Sequence, residues 1–221
     1  MTGFAGFPPD TVPFLKDLKA NNKRDWFQAS KPRYEAAYKA PAAAFCAAMT
    51  FRLQAETGDV HTAKVFRINR DIRFSKDKTP YNTYLHILFR REGARGGLFF
   101  GLQTDGLVLG VGVMGFDKGQ LAAYRDAVAD RQGEQLAEII AKLIATGARM
   151  DEPALKRVPK GFDPEHPRGD FLKHKSLTIW HDMPESTQVT TPGFADICAN
   201  HFQTYADLGR WIDRNIPPAT N

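Results

Sequence analysis

The sequence predicts an α+β fold, with a single domain over residues 1–221 that has an antiparallel β-sheet and helices before, between and after its hairpins. Two changes of hydrophobic period support this prediction. The first third has the 3.6-residue period of helices, the middle third alternates like strands, and helical spacing then returns. We therefore expect N-terminal helices at 1–58, the hairpins and a charged motif at 59–116, and helices, a surface loop, a further strand and a closing helix at 117–221.

The first third predicts two main helices. Asp10 or Thr11 can cap the first of them, and Ser30 opens a long helix that runs to about Glu56. Pro41 should kink or split the long helix, because its ring removes one hydrogen bond of the ladder. The buried stripe of the first helix is predicted to contain Val12, Phe14, Leu15 and Leu18. The buried stripe of the second is predicted to contain Tyr34, Tyr38, Phe45, Met49 and Leu53.

The middle third changes to a period of two. Residues 83–90 alternate apolar and polar side chains, which is typical of a half-buried strand. Two further apolar runs, at 98–102 and 107–113, flank the dipeptide Asp105-Gly106. Since Asp-Gly between apolar runs is among the strongest hairpin signals, these runs are predicted to pair as antiparallel strands.

The last third returns to helices around one further strand. Asp117 should cap a helix containing Leu121, Tyr124 and Val128, and a second helix is expected near 135–145. Residues 151–170 are rich in Pro, Gly and charge and indicate an ordered surface loop. We expect a strand at 177–181 and one closing helix from Gly193 to Ile216. The buried side of the helix near 135–145 is predicted to contain Leu136, Ile139, Ile140, Leu143 and Ile144. That of the closing helix is predicted to contain Phe194, Ile197, Phe202, Tyr205, Leu208, Trp211 and Ile212.

Positive charge is concentrated in one stretch of the chain. The whole sequence has 30 Lys+Arg and 25 Asp+Glu, a formal charge of +5. Residues 64–95 hold nine basic and three acidic residues, a net +6, so the remainder carries −1. This distribution favours one local site for a compact anion over a grip on a long polyanion.

The composition excludes several classes of protein. No apolar run approaches the roughly 18 residues of a membrane span, and the first residues lack the basic start and apolar core of a signal peptide. We therefore expect a cytoplasmic protein with no membrane partner. Two cysteines, Cys46 and Cys198, are too few for a disulfide scaffold or a cysteine metal cage, and both are expected to be core or near-core thiols.

The densest chemistry lies in residues 67–81, RINRDIRFSKDKTPY. This segment resembles the signature R-x-x-R-D-x-R-F-x-x-[DN]-K-x-x-Y of the uncharacterised bacterial family catalogued as domain of unknown function 2461. The specified positions are filled by Arg67, Arg70, Asp71, Arg73, Phe74, Asp77, Lys78 and Tyr81. The resemblance also covers residues 21–27 and 159–168 and is nearly full-length. It implies no particular activity.

The residues of this segment predict a ligand site. The predicted site residues are Arg67, Arg70, Asp71, Arg73, Lys76, Asp77, Lys78 and Tyr81. Clustered arginines suit a phosphate or a carboxylate, because the planar guanidinium fork matches two oxygens at once. If residues 67–77 are extended, one face carries Arg67, Asn69, Asp71, Arg73, Ser75 and Asp77. The other face carries Ile68, Ile72 and Phe74, together with Arg70 and Lys76, and Phe74 is expected in the core.

The turn-like residues 75–80 could add backbone donors to this site, and Tyr81 could add a hydroxyl or a stacking ring. The histidines give weaker signals. The sequence has no H-E-x-x-H pair, no phosphate-binding glycine loop and no G-x-S-x-G elbow, so no metal site and no cofactor is predicted. His166 and His181 could reach the basic segment as a general acid or base, but a structural or solvent-exposed role is favoured for each single histidine.

Three functions remain open from the sequence. The first is a soluble domain that binds a compact phosphate- or carboxylate-bearing ligand through the site residues. The second is an enzyme acting on a phosphorylated or nucleotide substrate, with Asp71 or Asp77 as base or metal ligand. The third is a nucleic-acid-binding protein, less favoured because Phe74 is expected in the core, or an interaction protein with a buried Arg–Asp network. The sequence assigns no oligomeric state.

Overall fold

The computed structural model describes residues 3–184 and 187–219, and 45% of it is helical and 17% strand. The helices are α1 (Thr11–Ala20), α2 (Arg24–Ala29), α3 (Lys31–Tyr34), α4 (Ala40–Thr57), α5 (Lys118–Ala129), α6 (Gln132–Ala145), α7 (Gly169–Leu172), α8 (Phe194–Gln203) and α9 (Ala206–Asn215). The strands are β1 (His61–Val65), β2 (Leu85–Arg91), β3 (Gly97–Leu102), β4 (Gly106–Val113), β5 (Arg149–Met150) and β6 (Leu177–Pro184). The predicted α+β class is confirmed.

The strands form one antiparallel sheet in the order β1-β2-β3-β4-β6-β5. β1 pairs with β2 so that His61 lies opposite Arg91 and Val65 opposite Ile87. The predicted hairpin is confirmed as β3 and β4, and the Gln103 N–H donates to the Gly106 carbonyl at 2.8 Å to close its turn. β1, at one edge of the sheet, and the short β5, at the other, were not predicted.

The N-terminal helices differ from the prediction at their ends. Asp10 precedes α1 but makes no capping bond, because its carboxylate binds Arg33 at 2.6 Å instead. The interruption expected at Pro41 is a π-helical turn at Glu35–Lys39, directly before the proline. The wider π-helical turn tolerates the absence of a backbone N–H at Pro41. Tyr38, Phe45, Met49 and Leu53 are buried as predicted, whereas Val12 and Tyr34 are only half-buried.

The later helices follow the predicted pattern with three corrections. Asp117 caps α5 as predicted, in a capping box with Gln120. α6 begins at Gln132, earlier than expected, and Ile144 is exposed rather than buried. The single closing helix is two helices, α8 and α9. The chain breaks between them because the Tyr205 N–H donates to the Phe202 carbonyl, a tighter turn that leaves the Tyr205 ring buried.

The chain divides into two compact units. The first comprises residues up to Glu92 with 99–109 and 182–201, and the second comprises 93–98, 110–181 and the residues from Phe202 onward. The core of the first unit is a cluster of phenylalanine rings, Phe7, Phe45, Phe100 and Phe194. The core of the second unit includes Tyr124, Leu136, Leu172 and Trp211, and the half-buried Phe116 ring stacks on Tyr124. The expectation of one domain over residues 1–221 remains a prediction.

The described helices were also compared with the requirements of a membrane span. Within residues 3–184 and 187–219, no helix is both long enough and apolar enough to cross a bilayer.

Candidate functional site

All eight predicted site residues lie in the connection between β1 and β2, residues 66–84, which we call the motif loop. The loop first continues the β1–β2 ribbon. The Phe66 N–H donates to the His86 carbonyl at 2.9 Å, the Asn82 N–H to Ile68 at 2.7 Å, and the Arg70 N–H to Pro80 at 2.9 Å. Beyond Arg70 the chain turns, so the strand-like alternation expected over residues 67–77 does not hold. We call residues 71–79 the tip.

The base of the motif loop is fixed by residues that precede it by about sixty positions. The Asn22 side chain clamps the Tyr81 backbone, accepting from its N–H at 3.0 Å and donating to its carbonyl at 2.8 Å. The Phe27 ring stacks on the Tyr81 ring with centroids 4.1 Å apart. Tyr81 is only 5% exposed. In the structure Tyr81 therefore anchors the loop, and residues 21–27 pack against residues 67–81.

Within the loop, Arg70 and Asp77 form one ion pair. Arg70 Nη1 lies 2.5 Å from Asp77 Oδ2, and the same nitrogen contacts the Thr79 hydroxyl and the Thr79 carbonyl, the latter at 3.2 Å. The Thr79 N–H donates to Asp77 Oδ1 at 2.9 Å. This backbone bond, followed by the bond from Arg70, lowers the pKa of Asp77 to about 2. The carboxylate is thus fully ionised at neutral pH.

Asp71 and Arg73 form the second ion pair, and it is bidentate. Arg73 Nε and Nη2 donate to the two carboxylate oxygens at 2.9 and 2.6 Å, and the Arg73 backbone N–H donates to Oδ1 at 3.2 Å. The side-chain bonds from Arg73 are the largest cause that lowers the pKa of Asp71, and the charge of Arg67 adds to it. The Arg73 side chain is still 76% exposed, so this pair lies at the surface.

Phe74 is the clearest departure from the predicted site. It was expected in the core, but its side chain is 96% exposed. The expectation assumed an extended chain whose side chains alternate between the two faces of a strand. This alternation ends where the tip turns, so it no longer directs the Phe74 side chain inward. The Arg73 guanidinium lies 5.9 Å from the Phe74 ring centroid, within the range of a cation–π contact.

Three cations of the site have no carboxylate partner among residues 3–184 and 187–219. Lys78 Nζ donates to the Ile72 carbonyl at 2.9 Å. Over the described parts of the chain, the Arg67 and Lys76 side chains form neither a hydrogen bond nor an ion pair. Both are exposed. Because each carboxylate of the tip already binds an arginine, the remaining cations give the loop a net charge of +3.

Neither carboxylate of the tip is tuned for proton transfer near neutral pH. A general base works best with a pKa near the working pH, and the pKa values of both Asp71 and Asp77 are lowered. No group of three or more His, Cys, Asp or Glu side chains suited to a metal ion occurs among the described residues. The buried Arg–Asp network considered from the sequence is wrong, since both ion pairs are partly or largely exposed.

The third segment of the resemblance, residues 159–168, closes the end of α5. Arg168 Nε donates to the Val128 carbonyl at 2.7 Å, and Nη2 donates to Ala129 and Asp130 at 3.2 and 3.0 Å. His166 Nδ1 accepts from the Arg168 N–H at 3.0 Å, so the proton is on Nε2, 3.2 Å from the Ala129 carbonyl. Both ring nitrogens of His166 are engaged at this helix end, a structural role.

Other residues that bind or flank the motif loop were not identified from the sequence. Asn22 and Thr79 bind the motif loop, but single polar residues near turns give no signal of a long-range partner. His86 lies in β2 with its ring stacked 3.8 Å from the Tyr84 ring, and burial lowers the pKa of His86. The other candidate histidine, His181, lies in β6.

Comparison with known proteins gives one match. A protein-family model described as "Conserved hypothetical protein (DUF2461)" matches residues 10–211. The matched range includes the motif loop, the clamp at Asn22 and the helix-closing Arg168. No curated protein and no solved structure matches the chain.

Proposed function

Since the chain belongs to the conserved hypothetical family DUF2461, we propose from its own residues that the motif loop binds a compact anion, a ligand bearing a phosphate or a carboxylate. One observation carries the proposal. Arg67, Lys76 and Lys78 lack a carboxylate partner among the described residues, although they lie in one loop with two ionised carboxylates. We further propose that the protein acts as a soluble cytoplasmic domain.

The loop is held in shape before any ligand arrives. Asn22 fixes its base through the Tyr81 backbone, and the Arg70–Asp77–Thr79 bonds fix one side of the tip. A preorganised site loses less conformational entropy on binding, so more of the interaction energy contributes to affinity. This order favours a specific ligand over loose attraction of counterions.

Arg67 is the residue best suited to contact the ligand directly. Its guanidinium is exposed and close enough to Asp71 to lower the pKa of that carboxylate. Arg70 and Arg73 are each held by an aspartate, whereas the five donors of Arg67 remain available to two ligand oxygens. Lys76 and Lys78 would add charge without imposing geometry.

The alternative of an enzyme on a phosphorylated or nucleotide substrate has less support. It needs Asp71 or Asp77 as a base or a metal ligand, and both already accept from an arginine and a backbone N–H. Binding is therefore the function that the geometry supports best.

The test is titration of the protein with sodium pyrophosphate and with citrate, followed by calorimetry at low ionic strength. We expect Arg67→Ala to weaken binding of at least one of these probes by about tenfold, because a charge-assisted hydrogen bond contributes about 1.5–3 kcal/mol. Arg131→Ala is the matched control, since Arg131 is exposed beside the start of α6. Equal affinities of Arg67→Ala and Arg131→Ala, or no binding by the unmodified protein, would contradict the proposal.

A further inference from the structure

The β1–β2 ribbon has an open face that leads to the motif loop. Thr62, Lys64, Leu88 and Arg90 line a shallow depression there. Thr62 lies opposite Arg90 and Lys64 opposite Leu88 in the strand register, so all four share one side of the ribbon. Thr62, Lys64 and Arg90 are exposed, and two of the lining side chains are cations.

Cations and aromatic rings are paired along the same ribbon. Lys64 Nζ lies 5.5 Å from the Phe66 ring centroid, which places Phe66 beside the depression, and Arg73 stands over the Phe74 ring at the tip. Phe66 is 36% exposed and Phe74 is 96% exposed. A partner that covers such an exposed ring removes apolar surface from water and is favoured by the hydrophobic effect. Both rings therefore offer stacking surfaces next to positive charge.

We propose that the β1–β2 ribbon and its motif loop bind single-stranded nucleic acid. Phosphates contact Lys64, Arg67 and Lys76, and unpaired bases stack on Phe66 and Phe74. A basic track with interleaved aromatic rings is the general means by which proteins hold a single strand without reading its sequence. This inference rests on the anion binding proposed above and extends it from one compact anion to the successive phosphates of a strand.

The exposed rings decide between a single strand and a duplex. In a duplex the faces of the bases are covered by their neighbours, so Phe74 would find only sugars and phosphates. In a single strand each base has a face free for a ring. Phe74 was expected in the core, which disfavoured nucleic acid; its ring is exposed, so this objection does not apply.

A lipid surface fits the tip less well. Membrane-binding segments bury a continuous apolar face, whereas Phe74 is the one large exposed hydrophobic residue among the described residues of the tip. Asp71 and Asp77 are ionised at the same tip and would face anionic headgroups. Phe66, the second ring, lies at the base of the loop beside Lys64 rather than at the tip. The cations and aromatic rings are therefore distributed along the ribbon, where an extended strand of nucleic acid could contact them in turn.

The first test measures binding of a fluorescein-labelled oligothymidylate by fluorescence anisotropy, with a duplex of equal length beside it. We expect the single strand to bind more tightly and Phe74→Ala to weaken its binding by about tenfold, since one stacked base contributes about 1–3 kcal/mol. Phe51→Ala is the matched control, because Phe51 is also exposed, at 68%, but lies on α4. Circular dichroism checks that both variants fold.

The second test separates charge from stacking through the salt dependence of binding. For a single strand, the logarithm of the affinity falls with the logarithm of the salt concentration by about 0.7 for each phosphate contact. Replacing Arg67 and Lys76 with alanine should reduce this slope by about 1.4 in total. Phe74→Ala should lower the affinity and leave the slope unchanged.

Each remaining outcome has a defined meaning. Equal binding of duplex and single strand, or equal affinities of Phe74→Ala and Phe51→Ala, overturns the stacking proposal. Phe74-dependent binding to phosphatidylserine vesicles without binding to the oligonucleotide assigns the ribbon to a lipid surface and also overturns it. If pyrophosphate binds through Arg67 and the oligonucleotide does not bind, this inference fails and the proposed function stands. If neither probe binds, both fail.

Discussion

At Asp77, three bonds converge on one exposed carboxylate. The Thr79 backbone N–H, the Thr79 hydroxyl and the Arg70 guanidinium all donate to it. Because each donor favours the ionised form, the pKa of Asp77 falls to about 2 from its ordinary 3.8. The tip therefore keeps a constant charge over the whole physiological range of pH, and its binding should not switch between pH 5 and 8.

An NMR titration of the Asp77 carboxyl carbon should show a midpoint near pH 2. Arg70→Ala should raise this midpoint only part of the way to 3.8, since the Thr79 N–H, the largest cause, remains. The pKa in the folded protein lies below that in the unfolded chain. Ionised Asp77 therefore stabilises the folded protein above about pH 4, and this contribution is lost as the pH falls towards 2. A midpoint near 3.8 in the unmodified protein would contradict this account, and Arg131→Ala serves as the control that leaves it unchanged.

The composition of the candidate site could be predicted from residue types, and its internal arrangement could not. Arginines and aspartates at short spacing do form ion pairs, but these pairs are partly or largely exposed and not the buried network that the sequence offered as one alternative. The partner choice, Arg70 with Asp77 and Arg73 with Asp71, depends on the turn of the tip. The exposure of Phe74 depends on the same turn, because a parity argument applies only while the backbone stays extended. Ligand binding by these residues stays a prediction.

The motif loop as an element is long for a connection between adjacent antiparallel strands. Most such connections have two to five residues, and longer ones are commonly functional. Residues 66–84 keep their shape through cross-ribbon backbone bonds and through the Asn22 clamp on Tyr81. The clamp comes from the connection between α1 and α2, so the order of this loop depends on a distant part of the sequence.

Asn22→Ala should lower the free energy of unfolding by about 1–3 kcal/mol, because it leaves the partly buried Tyr81 N–H without a partner. Urea denaturation measures this change. Asn21→Ala is the neighbouring control and should cost less than about 0.5 kcal/mol, since the Asn21 side chain makes one exposed bond, to the Asp17 carbonyl. Equal losses in the two variants would show that the clamp does not stabilise the loop.

Helices and strands could be predicted where the apolar period extends over many residues. They were harder to predict where a local turn interrupts a helix or where a strand is short. The π-helical turn before Pro41 and the break between α8 and α9 preserve the apolar period, so sequence periodicity continues through both. β1 was missed because His61–Val65 is short and largely polar. The hydrogen bonds from Arg168 to the carbonyl groups at the end of α5 were also not predicted, because those carbonyls lie about forty residues away in the sequence.

For the whole molecule, the sheet depends on close approach between strands that are distant in sequence. Gly112 in β4 has φ +135, a conformation that favours glycine, and a Cβ there would collide with the Leu177 carbonyl oxygen of β6. The neighbouring order of β4 and β6 therefore requires glycine at this position. The β3–β4 hairpin could be predicted from its turn. The pairing of β4 with β6 could not, because it leaves no local signature in the sequence.

Gly112→Ala should lower the free energy of unfolding by about 3 kcal/mol or more, because backbone strain adds to the clash with Leu177. Gly115→Ala is the control, since no atom lies within 4 Å of the Cβ it would introduce. Chemical denaturation of both variants measures the difference. A small loss in Gly112→Ala, similar to that in Gly115→Ala, would contradict the strand order.

The position of β1 at the edge of the sheet has a consequence for how copies of the protein meet. An edge strand offers unpaired backbone groups, and a second copy could add its own strand there. Lys64 stands at an exposed position near the end of β1, and Arg90, opposite Thr62, lies on the same side of the ribbon. Two such edges brought together would bring like charges into contact. We therefore expect the basic residues of the ribbon also to disfavour self-association through the edge of the sheet.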